Sequence, residues 1–169
     1  APYFYKGEVS GKLEIYGKKC KEIFEHSKYI GTVLQDSDAQ FVGLTVAEDI
    51  AFALENDEVE TTVMKEKVKE IAQFVRIETL LDLKPHDLSG GQKQKVSLAG
   101  IMVDNAKIVL YDEPLANLDP LSGKYAIELI SELHKDKKLT TVIIEHRLED
   151  VLHREIDRII VVDKGRIIA

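Results

Sequence analysis

The sequence predicts an α/β domain in which a mostly parallel sheet is flanked by helices. Residues 107–111 and 141–145 are short apolar runs, which is typical of strands buried on both faces of a parallel sheet. Segments with helical signals follow both runs, and alternation of strand and helix produces parallel pairing. The chain has 169 residues, which is enough for one domain with a hydrophobic core.

Short strands are predicted in the N-terminal part of the chain. Residues 7–16 alternate loosely between apolar and polar side chains and end at Gly17, which indicates an edge strand or a hairpin. Residues 29–34 form a short apolar strand that ends at Gln35. Residues 36–43 are polar and rich in turn-forming residues.

Two helices are predicted in the middle of the chain. The first begins with Thr45 as its N-cap, and Glu48 stands at the spacing of a capping box. The second lies within residues 64–83. Its apolar side chains recur at helical spacing, at Met64, Val68, Ile71 and Val75. We interpret this stripe as a core face rather than as a cofactor-binding surface.

The C-terminal half alternates helices and strands. One helix is predicted over residues 92–103. Residues 119–120, an aspartate and a proline, indicate the start of another helix that runs to about Lys135, since both types are favoured at those positions. A short helix is predicted at residues 148–151, and residues 163–165 predict a hairpin turn.

Polar residues follow three predicted strands at their carboxyl ends: Gln35, the pair Asp112 and Glu113, and His146. Parallel sheets bind ligands at this edge, so these side chains are candidates for a common site. Adjacent carboxylates suit hydrolysis of a phosphoanhydride, which needs charge neutralisation and a positioned water. One carboxylate holds a metal ion while the other acts as a general base.

Residues Ser89, Gly90, Gly91 and Gln92 predict a loop that opens a helix. Glycines let bare backbone amides approach a ligand, and a helix N-terminus suits a phosphate. An ordinary helix cap would show the same residues, so this feature is a weak signal by itself. Three further motifs follow it in order, at residues 111–114, at residues 117–119 and at Glu145-His146.

This ordered set resembles the nucleotide-binding subunit of ABC transporters. Residues 89–92 resemble the family's signature loop, residues 108–113 the Walker B strand, and residues 116–119 the D-loop. His146 resembles the switch histidine. The resemblance implies a P-loop NTPase-like fold with ATP and Mg²⁺ as cofactors.

The resemblance also implies a division of the chain. Residues 1–35 would be N-terminal strands of the catalytic core, including the remnant of a β-hairpin. Residues 36–87 would be the helical subdomain, which in this family receives a helix from the membrane-spanning partner. Residues 88–169 would complete the catalytic core.

Each motif residue then has an implied role. Asp112 would hold Mg²⁺, and Glu113 would activate the attacking water as the general base. His146 would reach towards the γ-phosphate. Gln35 would contact both Mg²⁺ and the attacking water and link them to the helical subdomain.

A second ATPase subunit is implied by the signature loop. In the family, Ser89, Gly90, Gly91 and Gln92 would contact ATP held by the opposite subunit of a head-to-tail dimer. Asp119 would act across the same interface.

One family motif is missing from the sequence. No phosphate-binding loop of the form Gly-x-x-x-x-Gly-Lys-Ser/Thr stands before Gln35. The nearest imitation, residues 7–13, is one residue short between its glycines and has Leu13 where a hydroxyl is needed. We therefore expect these residues alone to bind ATP very weakly and not to hydrolyse it. We expect the missing phosphate-loop strand to belong beside the Walker B strand, so that its absence exposes an apolar edge.

Charge and hydropathy exclude other classes of protein. The net charge of -7 and the lack of a basic patch argue against a nucleic-acid partner. No apolar run approaches the roughly 20 residues that cross a bilayer. Any membrane connection must therefore run through a partner. The family resemblance implies that this partner is a transmembrane transporter subunit and that the location is peripheral, at the cytoplasmic face of the cell membrane.

The first hypothesis is an ATP-binding and ATP-hydrolysing subunit that powers an ABC transporter. Residues 45–56 and 111–120 are similar to energy-coupling-factor importers of vitamins or metal ions. One alternative is a soluble ABC ATPase in DNA repair or translation, although the coiled-coil insertion or tandem cassettes of such proteins are not seen. Another is a non-enzymatic module that supplies its signature loop to a partner. The transported substrate cannot be read from these residues.

Overall fold

The computed structural model describes residues 10–19, 29–34, 40–103, 106–116 and 118–168. The predicted site residue Gln35 and the D-loop residue Asn117 lie outside the described residues. The other predicted site residues lie within them.

Three parallel strands form the sheet that carries the predicted site. They are β3 (Ile30–Val33), β4 (Ile108–Asp112) and β5 (Thr140–Ile144), in the order β3-β4-β5. Val33 pairs with Tyr111, and Tyr111 pairs with Ile143, so the three strands end at a common edge. The parallel pairing predicted from the alternation of strands and helices is confirmed.

Five α-helices are present in the described residues. They are α1 (Val46–Asn56), α2 (Thr61–Val75), α3 (Gly90–Met102), α4 (Pro120–Lys137) and α5 (Leu148–Val151). The described residues also contain two turns of 3-10 helix, Glu78–Leu80 and Pro85–Asp87. None of the described helices is both long and apolar enough to span a membrane.

Two tight hairpins lie near the ends of the described chain. Strand β1 (Glu14–Ile15) pairs with β2 (Lys18–Lys19), and β6 (Val162–Asp163) pairs with β7 (Arg166–Ile167). Both two-residue turns have positive φ throughout, at Tyr16 and Gly17 and at Lys164 and Gly165. Such turns match the twist of the flanking strands, so both predicted hairpins are confirmed.

The helix predicted within residues 64–83 is shorter than expected. Helix α2 ends at Val75 because Arg76 adopts a left-handed conformation, with φ of 60°. The chain then turns back, and Ile77 becomes buried. The interpretation of the apolar stripe as core is confirmed, since Val68, Ile71 and Val75 all belong to the buried cluster.

One face of the sheet packs against helix α3. Val33, Val109 and Tyr111 on this face are 2% exposed or less. A Cβ atom added to Gly31 would overlap the side chain of Ile101 in α3. The glycine therefore sets how closely the helix approaches β3.

Substituting this glycine should destabilise the protein. We expect Gly31→Ala to lower the free energy of unfolding by about 1–3 kcal/mol, because an added methyl forces α3 away from the sheet. Gly100→Ala is the control, since a Cβ there meets nothing within 4 Å and alanine favours a helix. Urea unfolding of both variants measures the difference. Equal stability of the two would contradict this account of the packing.

Two expectations about the sheet are wrong, one about burial of its strands and one about its strand order. The prediction that residues 141–145 form a buried strand is wrong for one face, since Val142 and Ile144 are 45% and 56% exposed. Within residues 107–111, Val109 and Tyr111 are buried, whereas Ile108 and Leu110 on the other face are only half-buried. The expected place of a phosphate-loop strand beside β4 is also wrong. Strand β4 is already paired on both sides, and among the described residues the open edges of this sheet belong to β3 and β5.

Candidate functional site

Strand β4 ends at the two adjacent carboxylates. Asp112 is its last residue and is exposed. Glu113 follows with φ of 47°, a left-handed conformation that is uncommon and costly for a residue other than glycine. Its amide still donates to the carbonyl of Ile144 in β5, at 2.9 Å. The chain therefore turns sharply after Asp112.

The structure brings Glu113 and His146 into contact. The Nε2 atom of His146 lies 3.0 Å from Oε1 of Glu113, across the ends of the neighbouring strands β4 and β5. The Glu113 side chain is 28% exposed and that of His146 is 82% exposed. A partly enclosed carboxylate is thus oriented by an imidazole that remains open to a ligand.

Glu145 is a site residue whose side-chain role the sequence analysis missed. Its Oε1 atom accepts from the amides of His146, at 2.8 Å, and Arg147, at 3.1 Å. Its Oε2 atom accepts from the amide of Leu115, at 3.2 Å. The signal in the sequence was a carboxylate directly before the histidine, where following amides are within reach of an acidic side chain.

Arg147 is a second residue that sequence reasoning missed. Its Nη1 atom donates to the carbonyls of Leu115 and Leu118, at 3.0 and 3.3 Å. Its Nη2 atom lies 2.7 Å from Oδ2 of Asp150. No local pattern indicates these contacts, because the two carbonyls lie far from Arg147 in the sequence.

The predicted signature loop forms a complete capping box. The amide of Gln92 donates to Oγ of Ser89, at 3.4 Å, and the amide of Ser89 donates to Oε1 of Gln92, at 2.8 Å. Helix α3 begins at Gly90, earlier than predicted, so Gly90 and Gly91 occupy its first turn. The amide of Gln92 is used by this cap, whereas the amides of Gly90 and Gly91 have no carbonyl four residues earlier within the helix and suit an anion.

Asp119 caps helix α4. Its carboxylate accepts from the amides of Leu121 and Ser122, at 3.0 and 3.1 Å, and from the hydroxyl of Ser122. Hydrogen bonds hold the pKa of Asp119 below its usual value. The bond from the Ser122 hydroxyl has the largest effect, and the bond from the Ser122 amide has the next largest. A Cβ on Gly91 would lie 3.7 Å from Ser122, so the caps of α3 and α4 are neighbours.

A cavity of about 220 Å³ lies behind the signature loop, between α3, α4 and the sheet. Its walls are mainly apolar and include Tyr111 and Tyr125, with Ser89 and Gly91 at one side. Asp112, Glu113 and His146 do not line it. The cavity therefore does not join the signature loop to the strand-end carboxylates.

The chemistry of the strand-end groups fits a magnesium ion that arrives with a nucleotide. Within the described part of the chain, no cluster of three or more His, Cys, Asp or Glu residues is arranged to hold a metal ion by itself. Mg²⁺ is usually bound through one or two carboxylates together with phosphates and water. Asp112, exposed at the strand end, can supply one such carboxylate.

The fold and the ordered motifs are those of the ABC transporter family. The family model described as ABC transporter matches residues 5–116, and the chain belongs to this family. It is 56% identical, over 99% of its length, to putative ABC transporter ATP-binding proteins of Photobacterium profundum and Clostridium perfringens. The chain spans 30% of the length of each of these relatives.

A solved structure has the same fold. The chain is similar to cbiO1 from Clostridium perfringens, described as part of the ABC transporter complex cbiONQ. The TM-score is 0.87 and the identity is 31%, over 95% of this chain and 65% of that chain. The predicted family and the predicted P-loop NTPase-like fold are therefore confirmed.

Proposed function

We propose that the chain belongs to the ATP-hydrolysing subunit of an ABC membrane transporter, in which it supplies the water-activating edge of the site. The observation that carries this proposal is the contact of Glu113 with His146, 3.0 Å apart beside the strand-end Asp112. A carboxylate oriented by an imidazole is well placed to accept a proton from an attacking water.

Each strand-end residue has a distinct part in this proposal. Asp112 would hold the Mg²⁺ that accompanies ATP, and this ion would supply charge neutralisation at the phosphates. Glu113 accepts the proton of the water that attacks the γ-phosphate. His146 holds the Glu113 carboxylate in place and faces the γ-phosphate with its exposed ring. The family resemblance implies that Gln35, which lies outside the described residues, would contact both Mg²⁺ and the attacking water.

The signature loop serves a second ATPase subunit in a head-to-tail dimer. The first-turn amides of Gly90 and Gly91, with the exposed Ser89, present donors to a phosphate that another subunit holds. Gln92 fixes the loop through the capping box. Asp119 contributes at the same interface, because its cap lies beside Gly91.

The first test measures nucleotide affinity. We expect Mg-ATP titrated into the isolated chain to bind very weakly, because the sequence lacks a phosphate-binding loop with its lysine and its cradle of amides. The full-length gene product is the comparison, and circular dichroism checks that the isolated chain is folded. Micromolar affinity of the isolated chain would contradict the proposal that ATP is held by residues outside it.

A loop before α1 is the proposed contact for a transmembrane transporter subunit. Leu44 and Val42 are 80% and 61% exposed on this loop, and Phe52 of α1 is 47% exposed. The amides of Val42 and Gly43 donate to Oδ1 of Asp49, at 2.8 and 3.0 Å, which holds the loop in place. The apolar side chains are thus displayed on a rigid support.

A shallow hollow of about 160 Å³ lies next to this loop, and Val42, Phe52 and Ile101 are among its lining residues. It fits an apolar side chain presented by a helix of the transmembrane subunit. In support, cbiO1 is described as part of a transporter complex. The proposal places the protein peripherally at the cytoplasmic face of the membrane, in an importer of the energy-coupling-factor type.

Charging this loop should disrupt that contact. We expect Leu44→Asp to reduce co-purification of the full-length gene product with its transmembrane subunit at least roughly tenfold, since a desolvated aspartate is costly in an apolar interface. Val63→Asp on α2 is the control, because Val63 is also exposed, at 42%, but lies outside the hollow. Unchanged co-purification of Leu44→Asp would favour a soluble ABC ATPase instead.

A further inference from the structure

We propose that Glu145 and Arg147 are positioning residues that couple the switch histidine to the D-loop, and we call this pair the switch clamp. The proposal rests on the proposed function, since it concerns how the hydrolytic edge is aligned with the subunit interface. Neither residue touches nucleotide in this scheme. Both act on the backbone that connects Glu113 to Asp119.

The first half of the clamp is the Glu145 carboxylate. One of its oxygens holds the amides of His146 and Arg147, which shapes the switch loop. The other oxygen reaches the amide of Leu115, 30 positions away in the sequence. A single half-buried carboxylate thus joins two separate loops, and charged acceptors make strong bonds to backbone amides.

The second half is the Arg147 guanidinium. Its Nη1 atom holds the carbonyls of Leu115 and Leu118, while its Nη2 atom is paired with Asp150 of α5. The side chain of Arg147 is 34% exposed and that of Asp150 is 30% exposed, so solvent only partly competes for these bonds. The planar fork makes several directed bonds at once, which a lysine ammonium on a flexible stem does not reproduce.

The two halves meet at Leu115. Its amide is bound by Glu145 and its carbonyl by Arg147, and its side chain is fully buried. The first turn of α4 also packs here, because a Cβ on Gly123 would lie 3.6 Å from Leu115 and 3.8 Å from the Arg147 guanidinium. Leu115 is therefore fixed to the switch loop from both sides of its peptide backbone.

This arrangement has a mechanical consequence. Leu115 and Leu118, which lie between Glu113 and Asp119, are hydrogen-bonded to the loop that carries His146, so a shift of either one would move that loop. A displacement of the D-loop at the subunit interface would then alter the contact between His146 and Glu113. Through the clamp, the contact of Glu113 with His146 in one subunit depends on how the D-loop of that subunit packs against the other subunit.

The kinetic test uses the full-length gene product assembled with its transporter subunits. We expect Arg147→Lys and Glu145→Gln each to lower kcat for ATP hydrolysis by about ten- to a hundredfold, because a displacement near 1 Å costs that much. The KM for ATP should change by less than about threefold, because the clamp makes no contact with ATP. A rise in KM with unchanged kcat would overturn the proposal.

Arg154 offers a matched control. Its Nη2 atom lies 2.7 Å from Oε1 of Glu128, and the two side chains are 36% and 33% exposed, much like the Arg147–Asp150 pair. Arg154→Lys should leave kcat unchanged. An equal loss of kcat in Arg154→Lys and Arg147→Lys would show general destabilisation and overturn the clamp.

A second measurement does not depend on catalysis. Hydrogen exchange should become faster at the amides of Leu115 and His146 in Glu145→Ala, because alanine leaves neither amide a side-chain acceptor, while the α2 amides stay protected. Unchanged exchange at Leu115 would overturn the clamp. If the unsubstituted protein hydrolyses no ATP, the proposed function fails, and the exchange measurement still decides whether the clamp exists.

Discussion

Glu113→Gln is expected to lower the rate of ATP hydrolysis by about a hundred- to ten-thousandfold while leaving ATP binding nearly unchanged. Glutamine has almost the same shape as glutamate, but its amide cannot accept a proton from the attacking water. Its carbonyl oxygen can still take the place of the Oε1 atom that lies 3.0 Å from His146. The change therefore removes the base and leaves the surrounding geometry in place.

This result is measured by phosphate release and nucleotide binding with the full-length gene product. Glu149→Gln is the control, because Glu149 is an exposed acid of α5 close in sequence to His146. It should hydrolyse ATP at the normal rate. Hydrolysis by Glu113→Gln above about a tenth of the unsubstituted rate would remove Glu113 from the role of general base.

Ser89→Asp is expected to abolish at least about 99% of ATP hydrolysis while the fold is retained. Aspartate is as good an N-cap as serine, and a negative charge at a helix N-terminus is favourable. Helix α3 should thus keep its start, with a change in unfolding free energy of less than about 1 kcal/mol. The same charge would face the γ-phosphate, and like charges brought together cost several kcal/mol.

Comparison with Ser89→Thr separates the two interpretations of this loop. Threonine also caps a helix but adds no charge, so Ser89→Thr should retain hydrolysis within a few-fold of the unsubstituted protein. If Ser89→Asp hydrolyses ATP as well as Ser89→Thr does, the loop is a helix cap and not a phosphate contact. Urea unfolding of both variants shows whether either one has lost the cap.

Local features of the chain could be predicted from the sequence. The capping boxes of Thr45 with Glu48 and of Ser89 with Gln92 form as expected, as does the cap at Asp119. These interactions join residues only a few positions apart, so the residue types and their spacing are sufficient to specify them. The same holds for the glycine-containing hairpin turns.

Contacts between distant parts of the chain could not be predicted in this way. The sequence placed Glu113 and His146 at strand ends, but only the pairing of β4 with β5 sets their distance of 3.0 Å. The roles of Glu145 and Arg147 depend on a loop about thirty positions away. Local periodicity carries no information about which backbone groups a long side chain will meet.

Burial of the strands is also predicted only in part by the sequence and is otherwise decided by tertiary packing. An apolar run predicts that a strand is buried, but it does not identify the helix or strand that packs against it. Val109 is fully buried beneath α3, whereas Val142 is 45% exposed on the other face of the same sheet. Their side chains are alike, so the difference comes entirely from which helices pack on each face.

The sequence by itself determined the family, the helix caps and the residues that carry the proposed chemistry, because these depend on residue types at short, ordered spacings. Tertiary structure decided the strand order, with β4 between β3 and β5, and the switch clamp around Leu115. These features depend on which segments meet in space, and that is settled by packing and backbone hydrogen bonding across the whole domain.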